Sequence, residues 1–107
     1  MTTFNNREKA FEGKFAHDEA LKFKAEARRN KLLGLWAAEL LGKSGEAADE
    51  YAREVVRADF EEAGDEDVFR KVRGDLDAAG VTLSDEDLRA MMVQKLGEAI
   101  EEIEREA

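Results

Sequence analysis

Gly42, Gly64 and Gly80 cut a chain without a single proline into stretches whose apolar residues recur at alternating spacings of three and four. That spacing places the apolar side chains on one face of a helix, and a glycine after the last member of each row can take the left-handed closing conformation. Ala, Glu, Leu, Lys and Arg dominate, all comfortable in helices. The fold class is therefore all-α. At 107 residues there is material for one compact core.

The signals predict four helices. The first runs from about His17 to Leu41 and ends at Gly42, with Leu32, Leu33, Trp36 and Leu40 as its apolar face. Gly34 within it costs helix propensity, which suggests that another helix approaches closely there. Ser44 is placed to cap a second helix, whose Ala48, Ala52, Val55, Val56 and Phe60 point inward before Gly64. Asp65 is expected to cap a third helix, with Phe69, Val72, Leu76 and Ala79 inward; Gly80 ends it and Val81 meets Leu76 across the turn. Ser84 and Asp87 form a near capping box for the fourth, Leu83 staples onto Leu88, and Leu88, Met92, Leu96, Ile100 and Ile103 face inward. Short connections between four amphipathic helices make an antiparallel bundle the natural arrangement, over residues 18–107.

Residues 1–17 stand apart. Phe4, Phe11 and Phe15 fall at helical-seam offsets of seven and four, yet in the register of the first helix they extend beyond the bundle. Full burial of three phenylalanines contributes roughly 5–9 kcal/mol, whereas ordering a dozen backbone residues costs on the order of 12–24 kcal/mol. Asn5, Asn6 and Gly13 add little helix propensity. Alone, this arm should be mobile and only partly helical; given a groove to enter, it can fold and bind.

Charge sharpens the division. Residues 1–31 hold eight Lys or Arg against five Asp or Glu, and the rest hold nine against twenty-one, within a net charge of −9. A basic arm on an acidic body suits recognition of a partner, although solvation of a long helix accounts for the charges equally well. The acidic total argues against nucleic acid. No apolar run reaches the roughly 18 residues of a membrane span, and the N-terminus lacks the apolar core of a secretory signal. A soluble, cytoplasmic protein without membrane insertion is the expectation. Absence of cysteine removes disulfides and thiol chemistry.

Catalytic constellations are missing. Asp65, Glu66 and Asp67 begin a helix, where negative charge complements the dipole, and Glu101, Glu102, Glu104 and Glu106 read as an exposed tail. With His17 the only histidine, neither a bundle di-metal site nor a serine triad can be built. The expectation is a non-enzyme without cofactor or metal. Gly42-Lys43-Ser44 matches the end of a phosphate-binding loop, but Ala37 stands where its first glycine belongs and a helix precedes it instead of a strand. A helix stop followed by a helix cap explains the residues better.

Residues 4–42, FNNREKAFEGKFAHDEALKFKAEARRNKLLGLWAAELLG, resemble the zeta-subunit ATPase inhibitors of alphaproteobacterial ATP synthases. The matching parts are the Arg-Glu-Lys run, the Phe-Glu-x-Lys-Phe step, HDE, ARRNKLLGLWAAE and the following Leu-Gly. The resemblance continues through EEAGDEDVFRKVRGDL and LSDEDLRAMM to cover nearly the whole chain. It implies a four-helix bundle with a mobile inhibitory N-terminus, monomeric when free and peripherally associated with the membrane-bound synthase. In that family the N-terminal segment enters the catalytic head (α, β and central-stalk subunits) at an α/β catalytic interface and blocks ATP hydrolysis by stopping rotation. Carried over, the segment is Met1 to about Lys14, with Phe15 to Glu19 at the junction. Phe4, Arg7, Glu8, Lys9, Phe11, Lys14 and Phe15 would be the contact residues. Two other classes stay open: a helix-in-groove adaptor for an unrelated partner, and a weakly nucleotide-responsive regulator using the Lys43 region.

Overall fold

The computed structural model describes residues 19–58 and 65–106. The described residues form α1 (Glu19–Leu40), α2 (Gly45–Ala58), α3 (Glu66–Ala78) and α4 (Asp85–Glu106), in an all-α four-helix bundle. The expected helix start at His17, the inward Phe60 and the stop at Gly64 lie outside the described residues.

Each turn follows from its glycine and its polar neighbours. At the end of α1, Gly42 has φ +77°; its amide donates to the Glu39 carbonyl at 3.1 Å and the Lys43 amide to the Ala38 carbonyl at 2.8 Å. The same paired closure ends α3: Gly80 has φ +75°, its amide reaches Asp77 at 3.0 Å, and the Val81 amide reaches Leu76 at 2.9 Å. Both are Schellman motifs, which satisfy carbonyls that the last helical turn leaves without partners. The start of α4 is capped as expected, with the Ser84 hydroxyl accepting from the Asp87 amide at 3.0 Å.

Asp65 departs from expectation. It occupies the N-cap position of α3, but its side chain makes no capping bond. Its carboxylate instead accepts from Arg29 Nη2 at 2.9 Å. A buried guanidinium on α1 needs a counter-charge more than the helix end needs one more acceptor.

The core is built from Leu33, Ala37 and Ala38 of α1, Tyr51 and Val55 of α2, Val68, Phe69, Val72 and Leu76 of α3, and Leu88 and Met92 of α4. Trp36, Ala48, Val81 and Leu83 pack half-buried against it. Two expected core residues do not enter: Leu40 is 39% exposed and Ala79 is exposed. Both sit at helix ends, Leu40 as the last residue of α1 and Ala79 just past the last residue of α3. Val68 and Ala99, each fully buried, fill positions the simple rows omitted.

Contacts taken in pairs show that neighbouring helices run in opposite directions: Tyr51 and Glu54 of α2 meet Asp75 and Lys71 of α3, Phe69 and Arg73 of α3 meet Arg89 and Asp85 of α4, and Lys24 and Arg28 of α1 meet Glu106 and Glu102 of α4. The close approach expected at Gly34 is present. A Cβ there would lie 2.7 Å from Ala52 Cα, so only glycine lets α1 and α2 come this near.

Candidate functional site

Phe4, Arg7, Glu8, Lys9, Phe11, Lys14 and Phe15 lie outside the described residues, as does His17. What the bundle supplies is the root from which that segment departs. α1 and α4 each have 22 residues, against 14 and 13 for α2 and α3. Among the described residues, the first turns of α1 pair with the last turns of α4 in a two-helix extension. A small apolar cluster joins them, with Ala25 and Ile103 buried and Leu21, Leu96 and Ile100 packed around them.

Arg28 clamps this extension. Its Nη1 donates to Glu102 Oε1 and to Glu106 Oε2, both at 2.9 Å, and its Nη2 to Glu106 Oε1 at 3.2 Å. Hydrogen bonding to Arg28 holds the Glu106 carboxyl below the ordinary carboxylate range, and the same bonds raise Arg28. The expectation of an exposed acidic tail is therefore corrected: Glu101 to Glu106 are the last turns of α4, and Glu102 and Glu106 face the α1 arginine. Two carboxylates one turn apart share a helix face, a signal that was present in the sequence but needed the identity of the facing helix.

The neighbouring Arg29 points inward. It is 2% exposed, beside a fully buried Asn30, and its Nε donates to Asn30 Oδ1 at 2.7 Å. With Asp65 accepting from its other end, Arg29 ties the start of α3 to the middle of α1. Periodicity did not reveal this link, because an Arg-Asn pair on a helix reads as solvated surface.

Across the bundle, burial first and then the Asp75 hydrogen bond push the Tyr51 hydroxyl far above its ordinary range. It donates to Asp75 Oδ2 at 2.8 Å. Lys71 bridges Asp75 and Glu54 at 2.9 and 3.1 Å, and its ammonium lies 5.2 Å from the Tyr51 ring centre. Burial lowers Lys71, but the two carboxylates more than offset it.

These groups border the Gly42-Lys43-Ser44 stretch, and their geometry disfavours phosphate there. The Gly42 and Lys43 amides are already engaged in closing α1. The adjacent cavity of about 380 Å³ sets Glu54 and Asp75 beside Lys43, and carboxylates repel an anion. Among the described residues no group of His, Cys, Asp or Glu could hold a metal ion, and no helix is long and apolar enough to cross a membrane.

The profile of the family ATPase inhibitor subunit zeta matches residues 1–102. Among solved structures, a solution NMR structure of a protein 54% identical in sequence superposes with a TM-score of 0.72, covering 81% of this chain and 99% of its own. No curated protein matches the chain significantly.

Proposed function

Because the chain belongs to the ATPase inhibitor subunit zeta family, we propose that it inhibits the F-type ATP synthase by inserting residues 1–14 at an α/β catalytic interface of the catalytic head. The observation that carries the reading is the reach of the family match, which starts at residue 1 and so includes the phenylalanine-striped arm. The segment enters as a helix, burying Phe4, Phe11 and Phe15 in a groove that opens and closes during turnover. Arg7, Lys9 and Lys14 meet acidic rims, and Glu8 meets a basic one. A wedge held between subunits that must move relative to each other stops rotation, and hydrolysis stops with it.

The bundle makes the wedge effective. The Arg28 clamp fixes the two-helix extension from which the arm departs, so force on the arm is met by a folded body too wide to follow it. Phe15 to Glu19 join the two parts. The protein acts as a regulator without chemistry of its own, peripherally associated with the membrane-bound synthase and monomeric when free. Coupling the folding of the arm to binding trades affinity for reversibility.

The test is ATP hydrolysis by the isolated catalytic head, with and without the full-length protein. Dose-dependent loss of turnover at saturating ATP, with co-elution of the protein and the α and β subunits, is expected. Unchanged turnover at saturating protein would refute the reading.

A further inference from the structure

We propose that a cationic groove between α1 and α2 is a second docking surface, which seats an acidic helical segment on the outside of the catalytic head. The proposal rests on the inhibitor reading above and adds a partner contact that the arm does not make. Lys31 of α1 and Arg53 and Arg57 of α2 line a cavity of about 480 Å³, with Ala52 and Val56 as its floor and Asp49 as the single carboxylate of the lining.

The charge there is unusual for this molecule. Elsewhere in the bundle Arg28, Arg29, Arg70, Arg73 and Arg89 each hold a carboxylate, and the cations that hold none among the described residues, Lys22, Lys43 and Arg105, do not share a cavity with one another. Lys31, Arg53 and Arg57 hold none among the described residues, and all three are exposed. A protein of net charge −9 thus gathers at one groove three cations that no described residue pairs, with Asp49 the one carboxylate of the lining. Arg53 and Arg57 stand one helical turn apart, the interval at which carboxylates repeat along a helix face. The buried Ala52 and half-buried Val56 leave room for an aliphatic side chain between the charged rows.

A nucleotide fits less well. The lining carries no aromatic ring to stack on a base, and its residues lie within helices rather than at a helix N-terminus with free amides. Because α2 runs back along α1, Arg57 lies at the end of the groove that faces the root of the arm. Lys31 is about 18 Å along the axis from the start of α1.

The experiment uses the full-length protein and the isolated catalytic head. Arg53→Glu/Arg57→Glu is compared with the unmodified protein and with Arg105→Glu, a charge reversal elsewhere, after circular dichroism confirms native helix content in each. Expected is a loss of affinity for the head of about tenfold or more in the double variant, mostly in association rate and shrinking as salt rises, with full inhibition still reached at saturation. Arg105→Glu should change affinity less than twofold. Zero-length carbodiimide cross-linking of the complex should join Lys31 to an Asp or Glu of an α or β subunit. Equal affinity of the double variant and the unmodified protein, or inhibition without any cross-link at Lys31, overturns the groove while leaving the arm mechanism standing. ATP or ADP shifting the amide resonances of Lys31 and Arg53 in the free protein would mark a nucleotide site instead and equally overturn it. Absence of any binding by the unmodified protein refutes the inhibitor reading and the groove together.

Discussion

Arg28 and Glu106 stand 78 positions apart in the chain and meet through two hydrogen bonds, at 2.9 and 3.2 Å. They close the end of the bundle from which the N-terminal arm departs. Half of the Glu106 side chain is exposed, and solvent screens exposed pairs. Arg28→Ala should therefore change global stability little while freeing the two-helix extension. Hydrogen exchange should quicken at residues 20–25 and 100–105 with little change at Leu33 or Leu76. Uniform acceleration throughout the bundle would contradict a local clamp.

The same pair sets a pH dependence. The folded Glu106 carboxyl titrates below its ordinary value of 4.5, so its contribution is present above that value and is lost as the pH falls through the folded one. Glu66, lowered by Arg89, behaves alike between α3 and α4. Acidification below about pH 4.5 should loosen both contacts. Glu106→Gln should remove the response of the α1–α4 end and spare that of the α3–α4 contact, as read from amide chemical shifts. An acid response at residues 20–28 that survives Glu106→Gln would show that another group is responsible.

Three glycines separate packing from propensity. A Cβ on Gly34 would meet Ala52 backbone at 2.7 Å, whereas one on Gly74 or Gly97 would meet nothing within 4 Å. Gly74→Ala and Gly97→Ala should each stabilise by about 0.5–1 kcal/mol through helix propensity. Gly34→Ala should destabilise by about 1–3 kcal/mol despite the same gain, because α1 and α2 must part. Urea midpoints for the three variants check this; a stabilised Gly34→Ala would mean that the helices can part without cost.

Asp65 distinguishes an ion pair from a cap. Asparagine caps helices as well as aspartate does, but it cannot neutralise Arg29, which is 2% exposed. Asp65→Asn should cost about 1–3 kcal/mol, as expected for removing a charged partner from a buried donor. Denaturant unfolding within about 0.3 kcal/mol of the unmodified protein would show that solvent or another group satisfies Arg29.

The repeat of three and four in the apolar rows made the bundle legible, and the glycine-closed turns at Gly42 and Gly80 were legible to the residue. Leu40 and Ala79 were misplaced because periodicity says which face a residue is on, not where along the helix the partner stops. Arg29, Asn30 and Tyr51 were missed for a different reason. A polar group becomes core material only when another element supplies its partner, and Asp65 and Asp75 lie 36 and 24 positions away. The GKS stretch resembled a phosphate loop because helix closure and phosphate binding both call on a glycine followed by available amides. The phenylalanine stripe and the charge of residues 1–17 were legible, but the groove proposed for them would belong to another protein, and no property of this chain alone could display it.

Within the arm, Phe11 should matter most among the single residues, since a fully enclosed phenylalanine contributes about 1.5–3 kcal/mol. Phe11→Ala should raise the concentration needed for half-inhibition about tenfold or more. Arg7→Ala and Lys9→Ala should act weakly and in proportion to the salt sensitivity of association, if they meet rim carboxylates. A larger loss from Arg7→Ala than from Phe11→Ala at physiological salt would place the binding energy in charge rather than burial.

The most direct measurement compares inhibition of ATP hydrolysis on the isolated catalytic head by the full-length protein and by a protein lacking residues 1–14, each first confirmed by circular dichroism to have native helix content. If the arm is the wedge, the full-length protein inhibits and the truncated one does not, although it stays folded and still binds weakly through the α1–α2 groove. If the truncated protein inhibits as well as the full-length one, the arm is not the effector, and the bundle surface must be.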